Sequence, residues 1–424
     1  MIHTRNKYRL TLWTKFIGAS LLTGFLAALL AIVLKHTTEH LEHSLFTQTT
    51  SSVLYILLFP ITGLTAIYFL KKYLFKGREN KGIKEVFESV SSGKQLKEYK
   101  ILSHFVNGLL TVSFGGATGI EVSTVVSTAA IGNVASRKER ILKKHKTELI
   151  CAAVAAGVAV LFSSPLAGIL FSYEVISKKV NKFYIVASVL AVSVAFAMLS
   201  ITGDETLFKV NITGWKLYAL PYFVLLGIIS GVNATYLTRC VLFIKKRFAA
   251  MQSYRNKIII GAVLLSITLL VLPQLYGDGY HAIKDGLEYA SHPVFSAKYL
   301  LIVVLLLVIK PIITSVTLGA GGDGGVFAPS IFIGAFLGLL TATVINSISV
   351  FQVIPLNFMI AGMAAMLSAS IHAPLTALFL VCGIVKDYTL FVPLAIVSFT
   401  AKLTAARLLP YNVYTYKEQT PYAT

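Results

Sequence analysis

Glu121 is the side chain in this sequence best placed to do chemistry. It sits in a glycine-containing break, FGGATGIEVSTVVSTAAIG from Phe114 to Gly132, within an apolar run and with no cation a helical turn away. A carboxylate at membrane depth is costly and marks an ion pathway or a proton relay, unless local N–H groups simply cap it. Ionised, such an acid mimics an anion and plugs a site; protonated, it swings away, which makes a proton-sensitive gate. A second break, LGAGGDGGVFAPSIFIGAFLG from Leu318 to Gly338, has the same character. Each leads into a helix N-terminus whose orphan N–H groups and roughly half an elementary positive charge favour an anion. Several such ends aimed at one spot would hold an anion weakly enough to release it.

A different chemistry is offered by His36, Glu39, His40 and His43 in HTTEHLEH. HxxEH is an inverted zinc-protease pattern, and on a helix His36, His40 and His43 share a face. A membrane zinc metalloenzyme is therefore the distant alternative, set against a polar helix end carrying histidines by chance, because no third-ligand segment or peptide-binding domain follows. His372, beside Pro374, reads as packed or hydrogen-bonded rather than catalytic. Cys151, Cys240 and Cys382 give no disulfide framework or metal motif and read as packing residues.

The elements that must position these residues belong in lipid. Of 424 residues 56% are hydrophobic and 13% charged, which excludes a soluble domain of ordinary composition. Apolar runs recur at about 10–34, 53–70, 101–131, 149–176, 183–201, 218–244, 258–275, 298–318, 326–350, 358–385 and 390–409. Several exceed the ~20 residues that cross a bilayer and contain Gly or Pro, so they read as pairs of short, tilted or re-entrant helices. Unwound backbone at membrane depth must line a cavity or be buried in protein. The first run follows Arg5, Lys7 and Arg9 and is too long for a signal-peptide core, so it reads as a retained spanning helix with residues 1–9 in the cytoplasm.

The net charge is +20. Its cations cluster between apolar runs, at Lys71–Arg78, Arg137–Lys146, Lys178–Lys182 and Lys245–Arg247, as cytoplasmic loops do. His36–Thr50, Gly203–Leu207 and Gly277–Pro293 read as outward segments. No basic, aromatic-interleaved domain stands apart, which argues against a nucleic-acid partner.

An internal repeat organises the chain. Ala152, Ala155, Ala156, Pro165 and Leu166 fall at one constant offset onto Ala361, Ala364, Ala365, Pro374 and Leu375. The expected organisation is a first membrane repeat at 10–203, a joint at 204–214, a second repeat at 215–409 and a short C-terminal segment at 410–424. Breaks at corresponding places of two halves point to a substrate site between converging helix ends.

These motifs resemble those of the CLC chloride channel and transporter family over nearly the whole chain and in the same order. GATGIEVSTVV is similar to its gating-glutamate segment, and GGVFAP at Gly324–Pro329 matches its GxFxP segment closely. SSPLAGILFSYEVI, YGDGY at Tyr276 and PYNVYTY near the C-terminus also fit. The resemblance implies an all-α polytopic membrane protein, a CLC-type inverted repeat of tilted and broken helices, forming a homodimer with one pore per subunit. It further implies that backbone N–H groups of Ile120, Glu121, Val326, Phe327 and Ala328 face the anion, with Glu121 as outer gate and the Tyr414 hydroxyl as inner gate.

Three departures matter. The family's selectivity segment falls on Asn80–Lys84, NKGIK, so Lys81, Gly82 and Ile83 take the anion-facing positions. Lys81 there either draws anions in or is an ordinary loop lysine. The gating segment lacks its usual Gly and Pro and has Val122 and Ser123 instead. The family's inner proton-transfer glutamate falls on Val175, with Glu174 one residue earlier. Valine cannot relay a proton, so channel-like passage of chloride or a similar small anion is the first expectation. Proton-coupled exchange of chloride, fluoride or nitrate is the second. The expected setting is a bacterial cytoplasmic membrane, with no enzyme activity, no cofactor and no adenine-nucleotide control.

Overall fold

The computed structural model describes residues 2–78, 80–203, 207–291 and 296–416. Parts of the expected joint (204–206), outward segment (292–293) and C-terminal segment (417–424) lie outside these described residues. Sixteen α-helices are described, and the described residues contain no β-strand. Eight of the helical stretches are long and apolar enough to cross a membrane, which makes this a multi-pass membrane protein.

Helix α1 (Ile2–Ser51) runs straight through the apolar stretch and the histidine-bearing segment beyond it. The expected end near Leu34 is absent because no Gly or Pro occurs between Phe25 and Ser51. At 1.5 Å per residue the helix extends about 75 Å, more than twice the ~30 Å hydrocarbon core. α2 (Val53–Phe69) follows after Ser52, whose hydroxyl accepts the Leu54 N–H. Next come α3 (Lys84–Ser91), α4 (Tyr99–Ser113) and α5 (Glu121–Lys138), then α6 (Lys146–Leu161), α7 (Pro165–Phe171) and α8 (Lys182–Thr202). The second half contains α9 (Leu220–Ala249), α10 (Tyr254–Val271), α11 (Tyr280–Ser291) and α12 (Ala297–Gly319). It closes with α13 (Phe327–Ile348), α14 (Pro355–Ile371), α15 (Pro374–Val385) and α16 (Phe391–Leu408).

Three helix starts in the first half recur 209 residues later: 146 and 355, 165 and 374, 182 and 391. The breaks follow from local chemistry. α4 ends where Gly115 takes φ +85°, and α12 ends before Gly321 and Gly324, at φ +108° and +147°. These are conformations that favour glycine. α7 and α15 each begin on a proline, whose missing N–H costs nothing at a helix start. The preceding turns pass through left-handed residues, Ser163 and His372.

The broken helices form the centre. α5, α6, α13 and α14 are buried along most of their length, whereas α10 turns Ile259, Val263, Ile267 and Leu270 outward as an exposed apolar stripe. α13 and α14 meet backbone to backbone: a methyl at Gly334 or Gly338 would collide with the carbonyls of Gly362 or Phe358. Small residues permit this approach, and without hydrophobic drive in lipid such packing holds helices together. Two short amphipathic helices lie outside the expected runs: α3, and α11 in what reads from sequence as an outward segment.

The basic segments border two cavities. Lys71, Arg78, Lys245 and Lys257 line one cavity, while Lys144, Lys178 and Lys179 line another. Lys15 near the N-terminus pairs with Glu139. The end of α1 meets α11 instead, around a cavity lined by Glu39, Glu42, His43, Asp278, His281 and Lys284.

Candidate anion site where two helix breaks meet

The two breaks touch. Gly119, two residues before α5, and Gly325, two residues before α13, form an isolated antiparallel bridge. Neither position has room for a side chain. A Cβ on Gly119 would collide with the Glu121 carboxylate and lie 2.6 Å from the Ala328 methyl; one on Gly325 would collide with Val122 and lie 2.9 Å from the Tyr414 hydroxyl. The positively polarised ends of α5 and α13 therefore converge on one place. Thr314 and Thr317 of α12 secure the arrangement. The Thr314 hydroxyl donates to the Ala117 carbonyl at 2.7 Å, and the Ala117 N–H donates to the Thr317 hydroxyl at 3.2 Å.

Glu121 is the first residue of α5 and only 3% exposed. Its Oε1 accepts the Tyr280 hydroxyl at 2.9 Å, and the N–H groups of Glu121 and Ala328 also face the carboxylate. Oε2 makes no hydrogen bond. The carboxylate thus sits between the two positively polarised helix starts, held there by a tyrosine from α11.

On the other side of the bridge the Val326 N–H donates to the Tyr414 hydroxyl at 3.2 Å. Tyr414 is buried, its ring 6.3 Å from that of Phe327, and its backbone is fixed by Asn412 Oδ1, which accepts the Tyr414 and Thr415 N–H groups. Phe327 also meets Phe171 edge to face. The structure therefore brings Glu121, Val326, Phe327, Ala328 and Tyr414 together. Ile120 precedes them as the residue before α5, half-buried. Gly82, at φ +65°, lies against Val122, and Ile83 is buried at the start of α3. Lys81 is exposed; its backbone N–H is taken by Glu85 Oε1 at 2.7 Å, and it borders the basic cavity that also contains Asp323.

Val175 is buried beside a cavity of about 550 Å³ that also contacts Glu148, Tyr184 and Thr415. Glu174 is committed elsewhere: Oε2 accepts the N–H and hydroxyl of Thr376, both at 2.7 Å, and Oε1 the Leu375 N–H at 3.3 Å. It caps α15, where a negative charge is favoured.

Several residues here are absent from the sequence-based site. Tyr280 lies in the YGDGY segment, but nothing in the sequence ties it to Glu121. Lys310 of α12 is fully buried, its ammonium directed at the carbonyls of Leu275, Gly277 and Asp278 and 4.7 Å from the Phe332 ring centre. Asp323 and His104 form a buried pair at 2.9 Å. The available signal was their charge inside apolar runs, which alone marks them for attention.

The histidine segment does not form a metal centre. His36, Glu39, His40 and His43 are exposed along α1, with His36 and Glu39 4.0 Å apart. Among the described residues no group of three or more His, Cys, Asp or Glu side chains could hold a metal. Asp278 and the α11 residue His281 border the same cavity as Glu39 and His43 without completing such a group among the described residues, so the zinc-enzyme alternative is set aside.

Comparison with known proteins agrees with this fold. The family model for the voltage gated chloride channel matches residues 62–406. The H(+)/Cl(-) exchange transporter ClcA of Vibrio vulnificus is 28% identical over 352 residues, covering 80% of this chain and 73% of that protein. A putative chloride channel protein, ClcB-like, from Ralstonia nicotianae is 25% identical over 84% of each chain. In fold, the chain superposes on a slow cyanobacterial Cl-/H+ antiporter with a TM-score of 0.81 at 21% identity, covering 95% of this chain and 96% of that one. A CLC-type fluoride/proton antiporter gives 0.77 at 23%, covering 95% and 97%. The family match and the shared fold define an anion-transporting membrane protein, not an enzyme. This chain belongs to the voltage gated chloride channel family, the CLC family.

Proposed function

We propose that this protein exchanges chloride, or a similar small anion, for protons across a bacterial cytoplasmic membrane. The observation that carries the reading is Glu121 seated between the starts of α5 and α13, where its carboxylate substitutes for the anion. Protonation removes the charge that holds it there and frees the position, so one group links proton and anion. This reverses the order suggested by Val175 alone. The related ClcA protein is named an exchanger, and in this chain the missing acid at 175 removes one relay position rather than the gate.

In this reading the N–H groups of Ile120, Glu121, Val326, Phe327 and Ala328 hold the anion, and the Tyr414 hydroxyl closes the inner side. Lys81, Gly82 and Ile83 border the inner entrance. Residues 10–203 and 215–409 are the two repeats, joined through 204–214, and two chains pair as a homodimer in the bilayer.

The test is flux from liposomes containing purified protein, followed with chloride and pH electrodes. A chloride gradient that drives protons uphill supports exchange. Chloride flux with no uphill proton movement overturns it in favour of a channel.

A further inference from the structure

We infer that Asp323 and His104 form a second proton-binding site, on the side of the helix breaks that opens to the basic cavity. Its role in transport rests on the exchange reading above; its ability to bind a proton does not.

Asp323 stands in the second break, three residues before Val326, and is 7% exposed. Its backbone is fixed on both sides: the N–H donates to the Thr111 hydroxyl at 2.9 Å, and the carbonyl accepts from Thr118. The carboxylate accepts Asn80 Nδ2 at 2.7 Å and the Ser123 hydroxyl at 3.3 Å, and both its oxygens lie 2.9–3.0 Å from His104 Nδ1. Ser123 is two residues beyond Glu121 on α5. One carboxylate therefore touches α4 and α5 and leads directly into the anion-facing segment.

His104 is 0% exposed, and its Nε2 has no hydrogen-bond partner. A buried polar atom without a partner calls for an explanation. With Nδ1–H given to Asp323, the bare Nε2 is a lone pair able to accept a proton, and the adjacent carboxylate stabilises the imidazolium that forms. Binding makes one N–H bond at Nε2, converting imidazole to imidazolium; release reverses it, and no other bond changes.

Asp323, the partner of His104, lines the basic cavity of about 240 Å³ together with Asn80, so the pair reaches that cavity through the carboxylate. The cations around it are Lys71, Arg78, Lys81, Lys245 and Lys257. Beyond Asn80, whose Oδ1 accepts from Ser103 and Lys100, stands the Lys100–Glu85 ion pair. These cations favour anion entry, and the Asp323 carboxylate beside His104 supplies the opposite charge. Val175, at the position where relay acids stand in similar proteins, has no such chemistry.

Full-length protein with Asp323→Asn or His104→Asn is reconstituted and both fluxes are measured. The expected result is anion flux within about threefold of wild type, with protons moved per anion reduced about tenfold or more. Infrared difference spectroscopy with pH provides a readout independent of coupling: an imidazole-to-imidazolium change seen in wild type is lost in His104→Asn and altered in Asp323→Asn. If a variant fails to fold, ¹⁵N-histidine labelling of the wild type reads the same event as protonation at Nε2 of a ring already protonated at Nδ1. Unchanged coupling in a folded variant, equal loss of both fluxes, or absence of any such titration would overturn the inference. Wild type that moves no protons but shows the titration would remove the exchange reading and leave the proton site standing.

Discussion

The Tyr280 hydroxyl lies 2.9 Å from Oε1 of Glu121, joining a residue from the start of α11 to the acid that begins α5. The same tyrosine lines the cavity bounded by Glu42, Asp278 and His281, and its own N–H donates to Asp278 Oδ1 at 2.8 Å. Glu121 is thus held by a hydroxyl that borders the cavity between α1 and α11.

Tyr280→Phe removes the latch and keeps the ring. A hydrogen bond to a charged group contributes about 1.5–3 kcal/mol, so release of the carboxylate becomes about tenfold easier or more. Anion flux at neutral pH rises, and the midpoint of its activation by acid moves upward by about one pH unit. Flux measured from pH 4 to 8 checks both.

Glu121→Gln keeps the shape of the gate without its charge or its titration. Anion flux becomes independent of pH over the same range, and chloride no longer drives protons. A variant whose flux retains the wild-type pH profile would remove Glu121 from the gate.

Gly119→Ala and Gly325→Ala each place a methyl where the breaks touch. Overpacking of this kind costs about 1–3 kcal/mol. The expected outcome is a lower melting temperature in detergent and anion flux reduced about tenfold, because the helix starts are forced apart. Gly18→Ala, where a methyl has open space, changes neither.

Glu174→Gln weakens the cap on α15 by replacing charge-assisted hydrogen bonds with neutral ones. Thermal stability falls by about 1–2 kcal/mol while the ratio of protons to anions stays at its wild-type value. A changed ratio would show that Glu174, rather than only capping, moves protons.

Lys81→Ser removes an exposed charge at the basic cavity. Flux falls about two- to threefold at low ionic strength and recovers with salt, since a screened surface charge affects entry rather than binding. A change in chloride-over-nitrate preference would instead place Lys81 in contact with the anion.

The two glycine breaks and Glu121 were legible because glycine and an acid are conspicuous in apolar sequence and their physical cost in lipid is known. The starts of α6, α7 and α8 repeat in α14, α15 and α16 at the offset that Pro165 and Pro374 already show. The length of α1 was hidden because polar residues do not stop a helix; only a breaker or a cap does. α3 and α11 were missed because short amphipathic helices carry no long apolar run. The Tyr280–Glu121 contact spans 159 residues, and no local pattern encodes a pairing that depends on how α11 docks. Asp323 was visible inside the second break, but its partner His104 is fixed only by the packing of α4 against that break.

The most direct test of the central claim is crystallographic. Crystals of Glu121→Gln grown in bromide should show an anomalous peak between the starts of α5 and α13, within hydrogen-bond reach of the N–H groups of Phe327 and Ala328. Bromide found only at the surface lysines, with that position empty or filled by packed side chains, would contradict the account.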